Sequence, residues 1–319
     1  MTWADHWGVI GVIRIIKGDC IKSLKKLEDA SINTCITSPP YWGLRNYNDE
    51  EKQLGLEDTP EEFVNNLVKV FREVKRVLRD DGTVWLNLGD SYNAGRNGGH
   101  AGGSKQNHKK YLQRSGANVV GLKPKDLIGI PWRVALALQQ DGWYLRQDII
   151  WHKPNPMPES VKDRCTKAHE YIFLLSKNPK YYFDNEAIKE DAKYPDGPTS
   201  AHAIRKGVGD PKMQTRNGLH KIGANPKRNK RSVWTVTTKP FKGAHFATFP
   251  MDLIEPCVLA GCPENGTVLD PFAGSGTTGI VAANNERNAV LLELNEEYIN
   301  LAKERINTQI GLWAEVVDD

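Results

Sequence analysis

The chain has 319 residues, 39% of them apolar, and a formal net charge of +4. That is enough apolar material for one large α/β domain or two small ones. No apolar run approaches the roughly 18 residues of a membrane span, and no basic-then-apolar signal pattern opens the chain, so a cytosolic protein is expected. Five scattered cysteines without a C-x-x-C pair argue against a disulfide framework and against a zinc site, and no metal is expected.

In chain order, "GVIRIIKGD" (11–19) predicts a strand, "CIKSLKKLED" (20–29) a short helix and "INTCITS" (32–38) a second strand. That strand runs into Ser38-Pro39-Pro40-Tyr41. The prolines cannot donate backbone hydrogen bonds, and a residue before proline is pushed toward extended geometry. The result is a stiff elbow presenting a hydroxyl, free carbonyls and an aromatic face; taken alone it is equally a rigid turn whose Tyr packs in the core. "TPEEFVNNLVKVFREVKRVLRDDG" (59–82) predicts a long amphipathic helix, with Thr59 as N-cap, Pro60 at its first position, Glu61 and Glu62 in the first turn and a stop near Gly82. "TVWLNLGD" (83–90) follows as a strand, "DLIGIPWRVALALQQDG" (126–142) as a helix, and "WYLRQDIIWHK" (143–153) and "EYIFLLSKN" (170–178) as strands. The remainder predicts a helix over 250–262, the strand "GTVLDPF", a helix through "TTGIVAANN", the strand "NAVLLELN" and a last helix over 296–310. Such alternation implies a mostly parallel sheet covered by helices. Pro256-Cys257 sits in an apolar helical stretch and reads as core; Trp151, His152 and His169 read as structural or supporting.

Gly274, Gly276 and Gly279 fit G-x-G-x-x-G between a predicted strand and a predicted helix, and Glu293 lies 19 residues beyond the first glycine, at the end of the next strand. There an acidic residue can hold ribose hydroxyls, so an adenosine-type ligand is expected. No Lys follows the last glycine as a phosphate-binding P-loop requires. A dinucleotide stays open from the glycines alone, although Asp270 at the strand end suits a cationic ligand better than a pyrophosphate.

Charge is unevenly spread. Residues 96–125 hold seven Lys or Arg and no acid, and residues 199–231 hold nine against Asp210, so the rest of the chain carries about −11. Both segments are rich in Gly, Asn and Ser and lack periodicity, which predicts basic loops. Paired basic loops on an acidic body favour a polyanion through phosphate neutralisation.

Together the two motifs resemble one family. Thr37-Ser38-Pro39-Pro40-Tyr41 is similar to the (S/N/D)-P-P-(Y/F/W) motif of exocyclic-amino DNA methyltransferases, and Asp270-Pro271-Phe272 with Gly274-Ser275-Gly276 is similar to their S-adenosylmethionine motif. Catalytic motif first, basic segment next and cofactor motif last resembles the circularly permuted β-class, over nearly the whole chain. The resemblance implies a Rossmann-like, S-adenosylmethionine-dependent methyltransferase fold in one domain (1–319), with a mostly parallel seven-stranded sheet flanked by helices. It implies a catalytic set of Ser38, Pro39, Pro40 and Tyr41. The cofactor set it implies adds Asp19, Cys20, Thr37, Phe249, Thr277, Thr278, Glu293, Leu294 and Asn295 to the Asp270–Phe272 and Gly274–Gly276 residues. Duplex DNA is the implied partner, met by Lys105, Lys109, Lys110 and Arg114 in a Gly-rich loop (91–125) and by Lys227, Arg228, Lys230 and Arg231 in a target-recognition insertion (186–235). A cognate restriction endonuclease is an optional second partner, and the chain is expected as a monomer or homodimer. Ser in the first motif position favours cytosine N4 as the acceptor, with adenine N6 the alternative and a non-catalytic DNA-binding module a weaker one.

Overall fold

In the computed structural model, described for residues 11–43, 53–93, 121–192, 226–238, 249–310 and 316–318, the apolar runs become strands where they alternate or run short and helices where they repeat every three to four residues. The strands are β1 (Ile13–Lys17), β2 (Ile32–Thr37), β3 (Leu78–Leu88), β4 (Tyr144–His152), β5 (His169–Ser176), β6 (Glu190–Asp191), β7 (Lys227–Arg228), β8 (Val233–Thr235), β9 (Thr267–Asp270), β10 (Asn288–Glu293) and β11 (Val316–Asp318). The helices are α1 (Cys20–Leu24), α2 (Pro60–Val77), α3 (Ile130–Gln140), α4 (Met251–Gly261), α5 (Thr277–Asn284) and α6 (Glu296–Ile310).

Among the described residues the main sheet has nine strands in the order β11-β1-β10-β9-β2-β3-β5-β4-β8. Only β5 runs against its neighbours β3 and β4; the other pairings are parallel. Seven strands make the expected methyltransferase sheet, and the three-residue strands β8 and β11 extend its two edges. Residues 184–231 form a second unit apart from the unit of residues 1–183 and 232–319. Its described part pairs β6 with β7 antiparallel, Glu190 opposite Arg228.

Alternation along β2 and β3 separates the two faces of the sheet. Cys35, Val84 and Leu86 join a cluster with Leu24 of α1, Phe63, Leu67, Phe71 and Val74 of α2, and Val134 and Leu138 of α3. Thr34, Thr83 and Trp85 face α4, which comes so close that a Cβ on Gly261 would stand 2.6 Å from Trp85 Nε1. Gly279 brings α5 equally near β10, where a Cβ would be 2.8 Å from Leu291 Cδ1.

Two helix boundaries differ from the sequence reading. Thr59 caps α2 in a reciprocal box with Glu62, as its sequence implies, but the helix ends at Val77 rather than near Gly82. Leu78 turns extended (φ −68°, ψ 139°) and pairs with Ile32. Buried Leu78 belongs to the core, whereas Arg79, Asp80 and Asp81 are exposed and bulge from the ladder before Thr83 rejoins Thr34. Helix α3 starts at Ile130 instead of Asp126, because Gly129 adopts φ 78° and the amides of Gly129 and Ile130 donate to the Asp90 carboxylate at the end of β3 (3.0 and 3.1 Å).

The carboxylate of Asp270 ties three elements together. It is 1% exposed and accepts from Thr37 Oγ1 on β2 (2.7 Å), from the Phe272 amide (3.1 Å) and from Thr278 Oγ1 in the first turn of α5 (2.6 Å). Burial pushes its pKa up to about 6 even though all three donors pull it down. The fold therefore favours the protonated acid. Asp270 contributes most to stability below the ordinary carboxylate pKa, and that contribution is lost as pH rises through about 6. Urea unfolding should show wild type losing roughly 1–2 kcal/mol more than Asp270→Asn between pH 5 and pH 7.5; equal losses would place the titrating group elsewhere.

Candidate active site at the carboxyl edge of the sheet

Because β11, β1, β10, β9, β2 and β3 are parallel, their carboxyl ends share one edge of the sheet, where ligands bind in open α/β folds. The glycine loop leaves β9 there. Gly274 takes φ 51°, donates its amide to Glu293 Oε2 (2.8 Å), and its Cβ position opens on space with nothing within 4 Å. Gly276, at φ 75°, lies against α6, where a Cβ would stand 2.9 Å from Ala302 Cβ. A tight turn, a close approach and helix-to-strand packing at Gly279 are the three tasks this glycine pattern performs in nucleoside-binding loops.

Glu293 is half-buried at the end of β10, and its other oxygen accepts from the Asn295 amide (2.8 Å). Burial raises its pKa, while backbone donors at Asn295, Gly274 and Leu294 hold it down. The neighbouring turn, from β1 to α1, is joined to it by the Gly18 amide donating to the Glu293 carbonyl (2.9 Å). Asp19 sits in that turn and caps α1 by accepting from the Lys22 amide (3.0 Å). Asp19, Gly274, Glu293, Leu294 and Asn295 are thus brought to one place. Cys20 is buried and its thiol pushed up to about 12 by that burial, which leaves it no nucleophilic role. Phe249, just before α4, and Phe272, after β9, are half-buried, and Phe272 packs on the core.

Several predicted residues turn inward instead. The charge of Asp270, read from the sequence as facing a cationic ligand, is enclosed by its own donors because the strand end is covered by β2 and α5. Thr37 and Thr278 give their hydroxyls to it. Ser275 and Thr277 are buried, and their hydroxyls meet Arg305 Nη1 of α6 (2.6 and 3.1 Å), which also donates to the Ser275 carbonyl (2.6 Å). Nothing in a linear pattern announces Arg305, which lies 30 residues from Ser275 on the following helix.

The elbow emerges from β2 beside this loop. Pro39 is buried, and Ser38, Pro40 and Tyr41 are half-buried. Tyr41 donates its phenol to Glu170 Oε2 (2.8 Å), with Asn87 Oδ1 at 3.4 Å. Its ring edge lies on Gly89, where a Cβ would be 2.5 Å from Tyr41 Cε2. Glu170 is ion-paired with Lys153, and Asn87 Nδ2 donates to Glu170 Oε2 (3.3 Å) and to the Tyr171 carbonyl (3.1 Å). Close by, Lys167 Nζ donates to the Asp90 carbonyl (2.8 Å), and burial lowers its pKa. Sequence reading missed Asn87, Gly89, Lys153, Lys167 and Glu170. Their place follows from the reversed direction of β5, which puts the first residues of that strand at the edge where the other strands end, and no local sequence pattern announces it.

The predicted DNA contacts divide. Lys105, Lys109, Lys110 and Arg114 lie outside the described residues. In the second unit Arg228 and Arg231 both donate to Glu190 Oε1 (2.9 and 2.7 Å), and Lys227 pairs with Asp191 (2.7 Å). Lys230, just beyond β7, is half-buried. Cys257 is fully buried in α4, as its apolar setting implies.

Residues 32–304 match the family model described as DNA methylase, of the N6/N4 methyltransferase type. The type II methyltransferase M.Cfr9I of Citrobacter freundii is 48% identical over 292 residues, which cover 92% of this chain and 87% of that protein. M.SmaI of Serratia marcescens is 49% identical over 295 residues, covering 92% and 90%. A Thermus thermophilus protein described as a putative DNA modification methylase, solved with S-adenosyl-L-methionine, superposes with a TM-score of 0.59 at 26% identity, over 96% of this chain and 100% of that one. The fold is shared as well with PvuII DNA methyltransferase (TM-score 0.61, 18% identity, 98% and 99% covered). With both motifs on one edge of this sheet, and with relatives of this identity along nearly the whole chain, the protein belongs to the N6/N4 DNA methylase family and is a DNA methyltransferase.

Proposed function

We propose that the enzyme moves a methyl group from S-adenosyl-L-methionine to the exocyclic N4 of cytosine in duplex DNA, after swinging the base out of the helix. One observation carries this reading. Thr37, immediately before Ser38, donates to Asp270 (2.7 Å), immediately before the glycine loop, so the elbow and the loop share a single buried anchor. The residues at the loop fit the cofactor: the Gly274 position is open, the Glu293 carboxylate stands beside it to accept from ribose hydroxyls, Asp19 serves the adenine and Phe249 the methionine portion. When bound, S-adenosyl-L-methionine supplies a methyl group on a cationic sulfur.

The elbow does the rest. An exocyclic amine is a poor nucleophile because its lone pair is delocalised into the ring. Ser38 Oγ and the Pro39 carbonyl accept from its two N–H bonds and draw that density back to nitrogen. Tyr41 stacks on the base, worth roughly 1–3 kcal/mol, which offsets much of the few kcal/mol needed to extrude it. Rigid placement of the amine contributes up to about 7–11 kcal/mol of barrier lowering. Ser38 is too weakly basic to take the proton early, so it leaves late, to water. Cytosine is preferred over adenine because Ser occupies the first position of the motif. Residues 91–125 serve phosphates and Arg228 and Arg231 serve base edges, with Glu190 holding the two guanidiniums until DNA arrives. A cognate restriction endonuclease reading the same sequence is an optional partner that methyl transfer does not require.

Genomic DNA from cells expressing the protein should carry N4-methylcytosine in one sequence context when both modified bases are sequenced; N6-methyladenine alone would reassign the acceptor. In purified protein, Ser38→Ala should cut turnover by about a hundredfold or more while the calorimetric affinity for S-adenosyl-L-methionine changes less than about threefold. Glu293→Ala should do the opposite, weakening the cofactor by about 1.5–3 kcal/mol with DNA affinity kept; unaltered cofactor binding would remove the ribose assignment.

A further inference from the structure

Tyr41 is held at two separate points by residues that come from other strands. The phenol donates to Glu170 Oε2 (2.8 Å), and the ring edge rests on Gly89, where no Cβ fits. Tip and edge together fix both side-chain torsions of the ring. The side chain stays half-buried, so part of it is still accessible. Glu170 is itself fixed, because Asn87 Nδ2 reaches the same oxygen (3.3 Å) and Lys153 pairs with the other. Lys153 lies 4.2 Å over the Trp151 ring, and buried Trp151 donates its indole N–H to the Val236 carbonyl (2.8 Å). The network therefore runs from the core of β4 to the catalytic elbow, and the side chains of Lys153 and Glu170 are only 19% and 15% exposed.

We infer that Glu170 is a positioning residue for methyl transfer: it sets the plane of the Tyr41 ring and raises the electron density on its face, while the ion pair with Lys153 holds the carboxylate in place. The inference rests on the reading that Tyr41 stacks on the extruded base. A phenol that donates to a carboxylate is polarised, since charge-assisted hydrogen bonds are the strong ones. During transfer, positive charge passes onto the exocyclic nitrogen and into the base ring. An electron-rich aromatic face attracts such a cation, so the contact strengthens toward the transition state and belongs to turnover rather than to ground-state binding. Pairing with Lys153 and the proximity of Lys167 offset the carboxylate charge, so the pocket is not simply anionic.

The test uses full-length protein and a duplex carrying the sequence that wild type methylates. Both kcat and KM for DNA are measured for Tyr41→Phe, Tyr41→Ala, Glu170→Gln and the Tyr41→Phe/Glu170→Gln double variant, with thermal unfolding as a control. Tyr41→Phe keeps the Glu170–Lys153 pair, so a merely structural role for Glu170 would leave it unaffected. We expect kcat to fall about tenfold in Tyr41→Phe and in Glu170→Gln, with KM changed far less. The double variant should be no slower than the slower single, as expected for two groups acting through one contact. Multiplying losses in the double variant overturn the positioning role. So does full kcat in Tyr41→Phe alongside a loss in Tyr41→Ala, and that pair of results decides the matter even where Glu170→Gln does not fold. Full kcat in Tyr41→Ala overturns the stacking reading itself, and the role of Glu170 with it.

Discussion

A carboxylate sealed from solvent is a costly thing to build into a core, and Asp270 is such a group. It is tolerated because each donor it needs arrives from a different element: a threonine on β2, a backbone amide at its own turn and a threonine opening α5. Leaving any of them out would strand a buried polar atom at a cost of about 1–3 kcal/mol. The satisfied arrangement accordingly specifies one relative placement of β2, β9 and α5. Thr37 and Asp270 are 233 residues apart in the chain, yet the proline elbow and the glycine loop begin at the very next residues. On the proposed reading, precision at the site follows from an interaction buried between elements of the fold.

The same device recurs around the edge. Asp90, at the end of β3, supplies the cap that α3 lacks in its own sequence. Arg305 of α6 closes the glycine loop from behind. Glu170 and Asn87 close the elbow from the side. In each case a charged or amide side chain on one element satisfies polar atoms of another, at the ends of strands where ladder bonds run out. On the proposed reading, what meets the ligands is mostly backbone, aromatic surface and the carboxylates of Glu293 and Asp19.

Much of this was legible in the order of residues. The alternation of apolar runs located most strands and helices, the N-cap Thr59 with Pro60 marked the start of α2, and the elbow, glycine loop and Glu293 were visible because each is a local pattern with a local cause. Partnerships that exist only across the fold were not. Asp270 looked like a charge aimed at a ligand, since sequence shows a strand end but not what covers it. Glu170 looked like the first residue of an ordinary strand, since its place at the site depends on β5 running backwards. The end of α2 was placed too late because polar Arg79, Asp80 and Asp81 fit a helix as well as a bulge, and only pairing of Leu78 with Ile32 decides between them. Strands β8 and β11, three residues each, are too short to impose a period.

Strand β1 has a further consequence for how the chain comes into being. Its partners in the sheet are β10 and β11, with Ile13 opposite Ala289 and Val316. A ribosome emits the chain from its amino end at about 5–20 residues per second, so β1 waits many seconds for anything to pair with, carrying the later-buried Ile13, Ile15 and Ile16 meanwhile. Arg305 appears equally late, so the glycine loop cannot close before α6 has emerged. On the proposed reading, a nascent chain that already holds the elbow has no finished place for the methyl donor until α6 has emerged, so competence comes in one late step rather than growing with length.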